Sequence, residues 1–238
     1  MSASDSGDPD RTVLRQLRFE RQPGTTEILL VRHGESAAFV DGEQFPEVDG
    51  QADTELHPNG REQAERIAER LAAEDIRAIY VTSLRRTVET AAPLARRLGL
   101  EPIVEPDLRE VYLGEWEGGA FRRHLTEGHP LVTRLGIDQR WDIIPGAEPR
   151  DHFAERIERA IVKIAERHVD QCVCVFSHGA TIGQVLARAS GSAPFAFTGS
   201  DNGAISQLVV AADRWTVRRF NDTAHLTMVL STRAQPLT

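Results

Sequence analysis

Short uninterrupted apolar runs alternate along the chain with segments in which apolar positions recur every third or fourth residue, a pattern that predicts strands and helices in turn. EILLV (27–31), IRAIYV (76–81) and CVCVF (172–176) have the length and continuous apolar character of strands buried on both faces of a parallel sheet. Between the first two, PNGREQAERIAERLAAE places Ala64, Ile67, Ala68 and Leu71 on one helical face with charges opposite, and Pro58 suits the first helical position. LRRTVETAAPLARRLG predicts a second helix ending at Gly99, with Pro93 expected to bend or restart it. After EPIV (101–104) the pattern becomes irregular through LGEWEGG, and the polar region that follows, to about residue 149, is expected to be an insertion lying over something. Regularity returns with a helix from about Asp151 to His168 and another starting near Ala180. AISQLVV (204–210) and WTVRRF (215–220), joined at AADR, predict a hairpin. The order predicts an α/β fold with a doubly wound, mostly parallel sheet and helices on both faces.

Residues 1–24 open on a polar, Asp- and Ser-rich stretch and are expected to be a partly disordered tail. Residues 25–238 are then one α/β domain with an insertion or lid at about 118–150. The 28 Lys and Arg against 36 Asp and Glu leave a net charge of −8, the wrong sign for broad binding to nucleic acid or an anionic membrane. An anionic substrate must therefore be caught by a local positive pocket. Cys172 and Cys174 lie two apart in a strand, where a mutual disulfide would be strained, and read as buried thiols. No apolar stretch approaches a membrane helix and the first residues hold no signal-peptide core, so a cytoplasmic setting is expected. Oligomeric state is not legible, and a homodimer stays open.

In a sheet of this kind ligands bind beyond the carboxyl ends of the strands. That rule selects Arg32, His33, the Thr82–Arg86 turn, and Ser177 with His178, each following directly on an apolar strand run. Two His and up to three Arg, Arg85 and Arg86 among them, thus converge on one edge, and such a set suits a tetrahedral dianion. Guanidinium forks match phosphate oxygens, and a neutral imidazole is a competent nucleophile toward phosphorus. Backbone amides at the helix starts near Leu84 and Thr181 are expected to add partial positive charge.

These residues also spell a family. LLVRHGES (29–36) resembles the RHG signature of the histidine phosphatase superfamily, the branch that includes cofactor-dependent phosphoglycerate mutases. In the right order, DTELHPNGREQA (53–64), TSLRRTVETA (82–91), LREVYLGEWEG (108–118) and FSHGATI (176–182) are similar to its further blocks. The resemblance spans about residues 26 to 221. It implies that His33 is the nucleophile and phosphohistidine carrier, that Arg32, Arg86 and His178 hold the phosphoryl oxygens, and that Glu110 is the proton donor. The resemblance also selects Arg86 over Arg85, because the family's arginine lies four residues before the Thr that Thr90 matches, while Arg85 and Ser36 are kept as substrate-binding candidates. The implied activity is a phosphomonoester hydrolase of the phosphatase branch, acting on a small phosphorylated metabolite with no metal or other cofactor. Because Glu110 must carry a proton before it can give one, a mildly acidic optimum is expected.

Some positions depart from the family pattern. Phe39 stands where many relatives carry Asn, which puts a phosphate-pocket hydrogen bond in doubt. PGAEP (145–149) is only loosely similar to a Gly-Glu-Ser stretch and leaves the lid unread, and Asn202 and Asn221 follow the late polar positions weakly. Arg122, Arg123, His124 and His129 suit either a second anionic group on the substrate or a solvated loop. A mutase and a non-catalytic phosphate-binding protein are the competing readings. LGEWEG favours the phosphatase, and no HExxH or close His/Cys cluster supports a metal hydrolase.

Overall fold

The structure, a computed structural model, describes residues 16, 19–40, 42, 43, 45–212 and 214–227; most of the expected tail 1–24 lies outside them. The end of that flank is tied down, since Arg21 Nη2 donates to the Asp170 carbonyl and Gly24 N to the Asp170 carboxylate.

Six strands form the main sheet: β1 (Thr26–Arg32), β4 (Ile76–Val81), β5 (Ile103–Val104), β6 (Cys172–Ser177), β7 (Ile205–Val210) and β8 (Trp215–Asp222). Their order is β5-β4-β6-β1-β7-β8. β1 pairs parallel with β6, and β4 parallel with β6 and β5, whereas β7 runs antiparallel to both β1 and β8. A mostly parallel sheet therefore carries the C-terminal hairpin on one edge.

Alternation along the buried strands sends their side chains to two cores. Leu29, Val31, Ile79, Val81, Cys174 and Phe176 pack with α1 (Pro58–Leu71) and α2 (Arg85–Leu98). Ile28, Leu30, Tyr80, Val173 and Val175 pack on the other side with α5 (Arg150–Arg167) and α6 (Gly179–Ser190). Both cysteines are free; burial pushes the Cys172 thiol up to about 12 and the Cys174 thiol well above its usual value.

Helix ends follow their local chemistry. The His57 ring accepts from Asn59 N ahead of Pro58, and Gly99 closes α2 in the left-handed region. Of the two effects expected of Pro93, a restart does not occur: α2 runs continuously through it, and the ring is buried on the helix's core face, where packing outweighs the lost donor. The polar insertion is also more ordered than its composition suggests. It folds into α3 (Ala120–Glu127) and α4 (Pro130–Asp138), and Phe121, Leu135, Trp141 and Ile144 join the α5/α6 core.

Two features were not foreseen. Asp49 and Gly50, both at positive φ, turn a small hairpin between β2 (Glu47–Val48) and β3 (Gln51–Ala52), a pairing that Asp-Gly favours. Gly34 serves close approach rather than a left-handed turn. A Cβ there would stand 2.6 Å from the Gly60 carbonyl oxygen, and a Cβ on Gly60 would stand 2.1 Å from the Glu35 oxygen. Only two glycines let the segment after β1 lie against the first turn of α1.

Candidate active site

β1, β4 and β6 end side by side, so Arg32, Thr82 and His178 arrive at one edge with His33 next to Arg32. His33 N donates to the Ser177 carbonyl at 3.0 Å, which locks the two His-bearing segments together. The His33 and His178 rings meet edge to face, 5.2 Å between centroids. In front of His33 opens a cavity of about 440 Å3 whose wall includes Arg32, Arg86, Glu110, Glu117, Arg122 and Asn202.

His33 is held in one tautomer. Its Nδ1 lies 2.7 Å from the Gly34 carbonyl oxygen, which can only accept, so Nδ1 carries the proton and Nε2 keeps its lone pair. Burial, then the charges of Arg86 and Arg32, hold its pKa well below the usual histidine range. The ring is therefore neutral and nucleophilic at neutral pH. His178 is fully buried behind it rather than on the cavity wall. Burial and then Arg86 depress its pKa as well, and its Nε2 lies 3.1 Å from Thr82 Oγ1.

Arg32 donates through Nη1 to the Ser200 carbonyl, and Arg86 through Nη1 to the Ala52 carbonyl at 2.8 Å. Desolvation brings both guanidiniums down to about 10, with Glu110 the leading opposing charge. Among the described residues, Arg32 Nε and His178 Nδ1 are buried with no hydrogen-bond partner. Two orphaned donors or acceptors beside the same nucleophile are costly unless a ligand oxygen meets them.

Glu110 is buried, and every contact donates to it: Val111 N, Ala180 N, Thr181 N and Thr181 Oγ1 at 3.0–3.3 Å. The amides near Thr181, expected to add partial positive charge to the pocket, spend it on the Glu110 carboxylate instead. The α2 start is closed in the same way, with Leu84 N donating to Thr82 Oγ1 and Arg85 N to Asp53 Oδ1. Positive charge in the cavity comes from guanidiniums.

Arg85 does not join the site. One helical position from Arg86, it turns about 100° away and pairs with Glu89 at 2.6 Å and Glu55 at 2.9 Å on the surface. Ser36 does line the cavity, its Oγ accepting from Arg122 Nη2 at 2.7 Å. Phe39 lies outside it, in an adjoining cavity with Phe45, Tyr112 and Arg123.

Several contributors carry little or no signal in the sequence. Asn202 Nδ2 donates to the His33 carbonyl, and Thr90 Oγ1 accepts from Gly34 N while donating to the Arg86 carbonyl. Arg156, buried on α5, grips the Asp107, Arg109 and Glu110 carbonyls at 2.6–2.9 Å and forms a fork with Glu148 at 2.7 and 2.8 Å. Glu117 is half-enclosed between the two cavities, and its burial raises its pKa.

Two buried neutral histidines have a consequence for stability. Each has a folded pKa below its unfolded value, so below about pH 6.5 the unfolded chain binds more protons. Stability is then full above that pH and falls on acidification, by up to about 1.4 kcal/mol per pH unit for each ring. Denaturant unfolding between pH 7.5 and 5 should show this slope, and His33→Gln should flatten it; an unchanged slope would mean the rings protonate in the fold.

A family model described as histidine phosphatase superfamily (branch 1) matches residues 28–223. Phosphoglycerate mutase-like protein 4 of Arabidopsis thaliana is 32% identical over 218 residues, covering 90% of this chain and 93% of that protein. A metal-independent phosphoserine phosphatase of the same plant is 30% identical over 211 residues, covering 86% of this chain and 84% of that one. Among solved structures, a mycobacterial glucosyl-3-phosphoglycerate phosphatase superposes with a TM-score of 0.69 at 27% identity, covering 84% of this chain and all of that one.

Proposed function

From the premise that this chain belongs to the histidine phosphatase superfamily, we propose that it hydrolyses a small phosphorylated metabolite through a phosphohistidine on His33. The observation that carries the reading is the fixed tautomer: Nδ1–H is tied to the Gly34 carbonyl, leaving a neutral Nε2 among two buried guanidiniums.

Nε2 attacks phosphorus in line, the P–O bond to the alcohol breaks, and protonated Glu110 gives its proton to the departing oxygen. Arg32, Arg86 and His178 hold the phosphoryl oxygens as charge shifts among them. In the second half, Glu110 accepts a proton from water, which attacks phospho-His33 and releases phosphate. The amides of Ala180 and Thr181 hold the Glu110 carboxylate in place beside the nucleophile for both steps. No step calls for a metal, and among the described residues no group of three or more His, Cys, Asp or Glu is arranged to hold one.

The 118–150 segment supplies the outer wall through Gly118, Gly119, Phe121 and Arg122 and is read as the specificity lid. Among the described residues no helix is long and apolar enough to cross a membrane. Together with the two free thiols, this supports the cytoplasm as the working compartment. The test is phosphate release from an aryl phosphate and from O-phosphoserine with chelator present, followed by acid-labile, base-stable label on the protein after rapid quenching. Label on His33 is expected; turnover that stops with chelator, or label on another side chain, would sink the reading.

A further inference from the structure

Residues 200–204, between α6 and β7, carry the nucleophile segment. Arg32 Nη1 donates to the Ser200 carbonyl, Asn202 Nδ2 to the His33 carbonyl at 3.0 Å, and Gly203 N to the Arg32 and His33 carbonyls at 3.1 and 3.2 Å. Arg32 N in turn donates to the Ala204 carbonyl at 3.1 Å. After Glu110, the Asp201 carboxylate is the second charge that supports the buried Arg32 guanidinium. Arg32 and His33 thus rest on a connecting loop, which has no hydrogen-bond ladder of its own to keep it in place.

What holds that loop lies at the end of β8. Ile205 pairs with Asp222 and Gln207 with Arg219, so Phe220 and Asn221 together stand opposite Ser206 in a bulge. Asn221 sits there at φ 55°, in the left-handed region that Asn tolerates better than most residues. Its amide meets Asp201 twice: Asp201 N donates to Asn221 Oδ1 at 2.6 Å, and Asn221 Nδ2 donates to Asp201 Oδ2 at 3.0 Å. Asn221 N donates to Ser206 Oγ at 3.2 Å, and His225, four residues on, donates through Nε2 to the Gly203 carbonyl at 3.0 Å. A neutral amide suits the task. It supplies both the donor and the acceptor that Asp201 needs and leaves the carboxylate's charge to Arg32, whereas a Lys or Arg partner would compensate that charge.

We propose that Asn221 is a positioning residue of the phosphoryl site: by pairing with Asp201 it fixes residues 200–203, and through them the Arg32 guanidinium beside His33. This rests on the phosphatase reading above for what Arg32 holds, and it adds a residue that does not itself line the cavity.

The first variant is Asn221→Gly, which deletes both side-chain bonds and leaves the backbone free to keep a positive φ. The probe is orthovanadate, a phosphate-like oxyanion, with its binding measured by calorimetry and kcat measured on an aryl phosphate, both well below the melting temperature. Affinity and kcat should each fall about 10- to 100-fold, the scale of a small misplacement imposed from outside the chemistry. A role confined to folding would lower the melting temperature and leave both values of the folded protein unchanged. Asn221→Asp alone sets two carboxylates face to face and should lose at least as much. Adding Asp201→Asn to it remakes both hydrogen bonds with one carboxylate left in the pair, so the double variant should regain most of the affinity. That exchange decides the matter if Asn221→Gly melts early. Unchanged affinity and kcat in folded Asn221→Gly, or a double variant that binds no better than Asn221→Asp, overturns the proposal. Orthovanadate binding needs no turnover, so affinity lost with Asn221 and regained by the exchange supports positioning even if wild type releases no phosphate, the result that would sink the phosphatase reading.

Discussion

His33→Ala should lower phosphate release by a factor of about ten thousand or more, the scale seen when a nucleophile that works as part of a unit is deleted. The fall belongs in kcat, because the variant keeps the Arg32 and Arg86 guanidiniums at the cavity. The fold should survive, since removing the ring takes away one hydrogen bond to the Gly34 carbonyl and the edge-on packing with His178. Added imidazole, placed in the space the ring leaves, should restore part of the rate. It should do so best above the pKa of free imidazole, since only the neutral form attacks. Within the enzyme the nucleophile's pKa is depressed, so wild type should keep turning over at pH values where free imidazole fails. Phosphate release by the variant at a tenth of the wild-type rate or more would remove His33 from the chemistry.

Arg156→Met should unfold the protein more readily, by about 3–5 kcal/mol, the usual cost of removing one partner of a buried ion pair. Glu148 would be left buried without its fork, and the Asp107, Arg109 and Glu110 carbonyls would lose a donor. Arg156→Lys should recover only part of this loss, because one ammonium cannot span three carbonyls and a carboxylate. Pairing Arg156→Met with Glu148→Gln should restore stability further by removing the uncompensated charge. Activity separates a positioning role from a structural one. The carbonyls that Arg156 holds belong to the segment carrying Glu110, so even the restabilised pair should turn over poor leaving groups slowly while sparing activated aryl phosphates. Equal losses on both substrates would confine Arg156 to stability. Unfolding curves with kcat on the two substrates decide it.

The chain's local patterns carry a good deal of this structure. Continuous apolar runs mark β1, β4 and β6, and the 3.6-residue period marks α1 and α2, because each depends on neighbours within a few residues. Once those strands are placed, Arg32, His33 and His178 follow as edge residues. The short pairs around Asp49-Gly50 were legible in principle, since that dipeptide favours a hairpin turn, but strands of two residues give no period to detect. α3 and α4 were obscured by their polar composition, although Phe121 and Leu135 anchor them in the core.

What the sequence by itself determined is the alternation of strands and helices, the strand ends at which two histidines and an arginine are delivered, and the family its ordered motifs resemble. Tertiary structure alone decided how each polar group is used. It gave Arg86 to the cavity and Arg85 to a surface cluster, turned the α6 amides onto Glu110 instead of phosphate, and clamped the Glu110 segment with Arg156 from 46 residues away. It also set Arg122 in the wall without an ion pair among the described residues. The reason is physical: propensity and periodicity act over a few residues, whereas a side chain's protonation and partners depend on the burial and charge that distant segments bring around it.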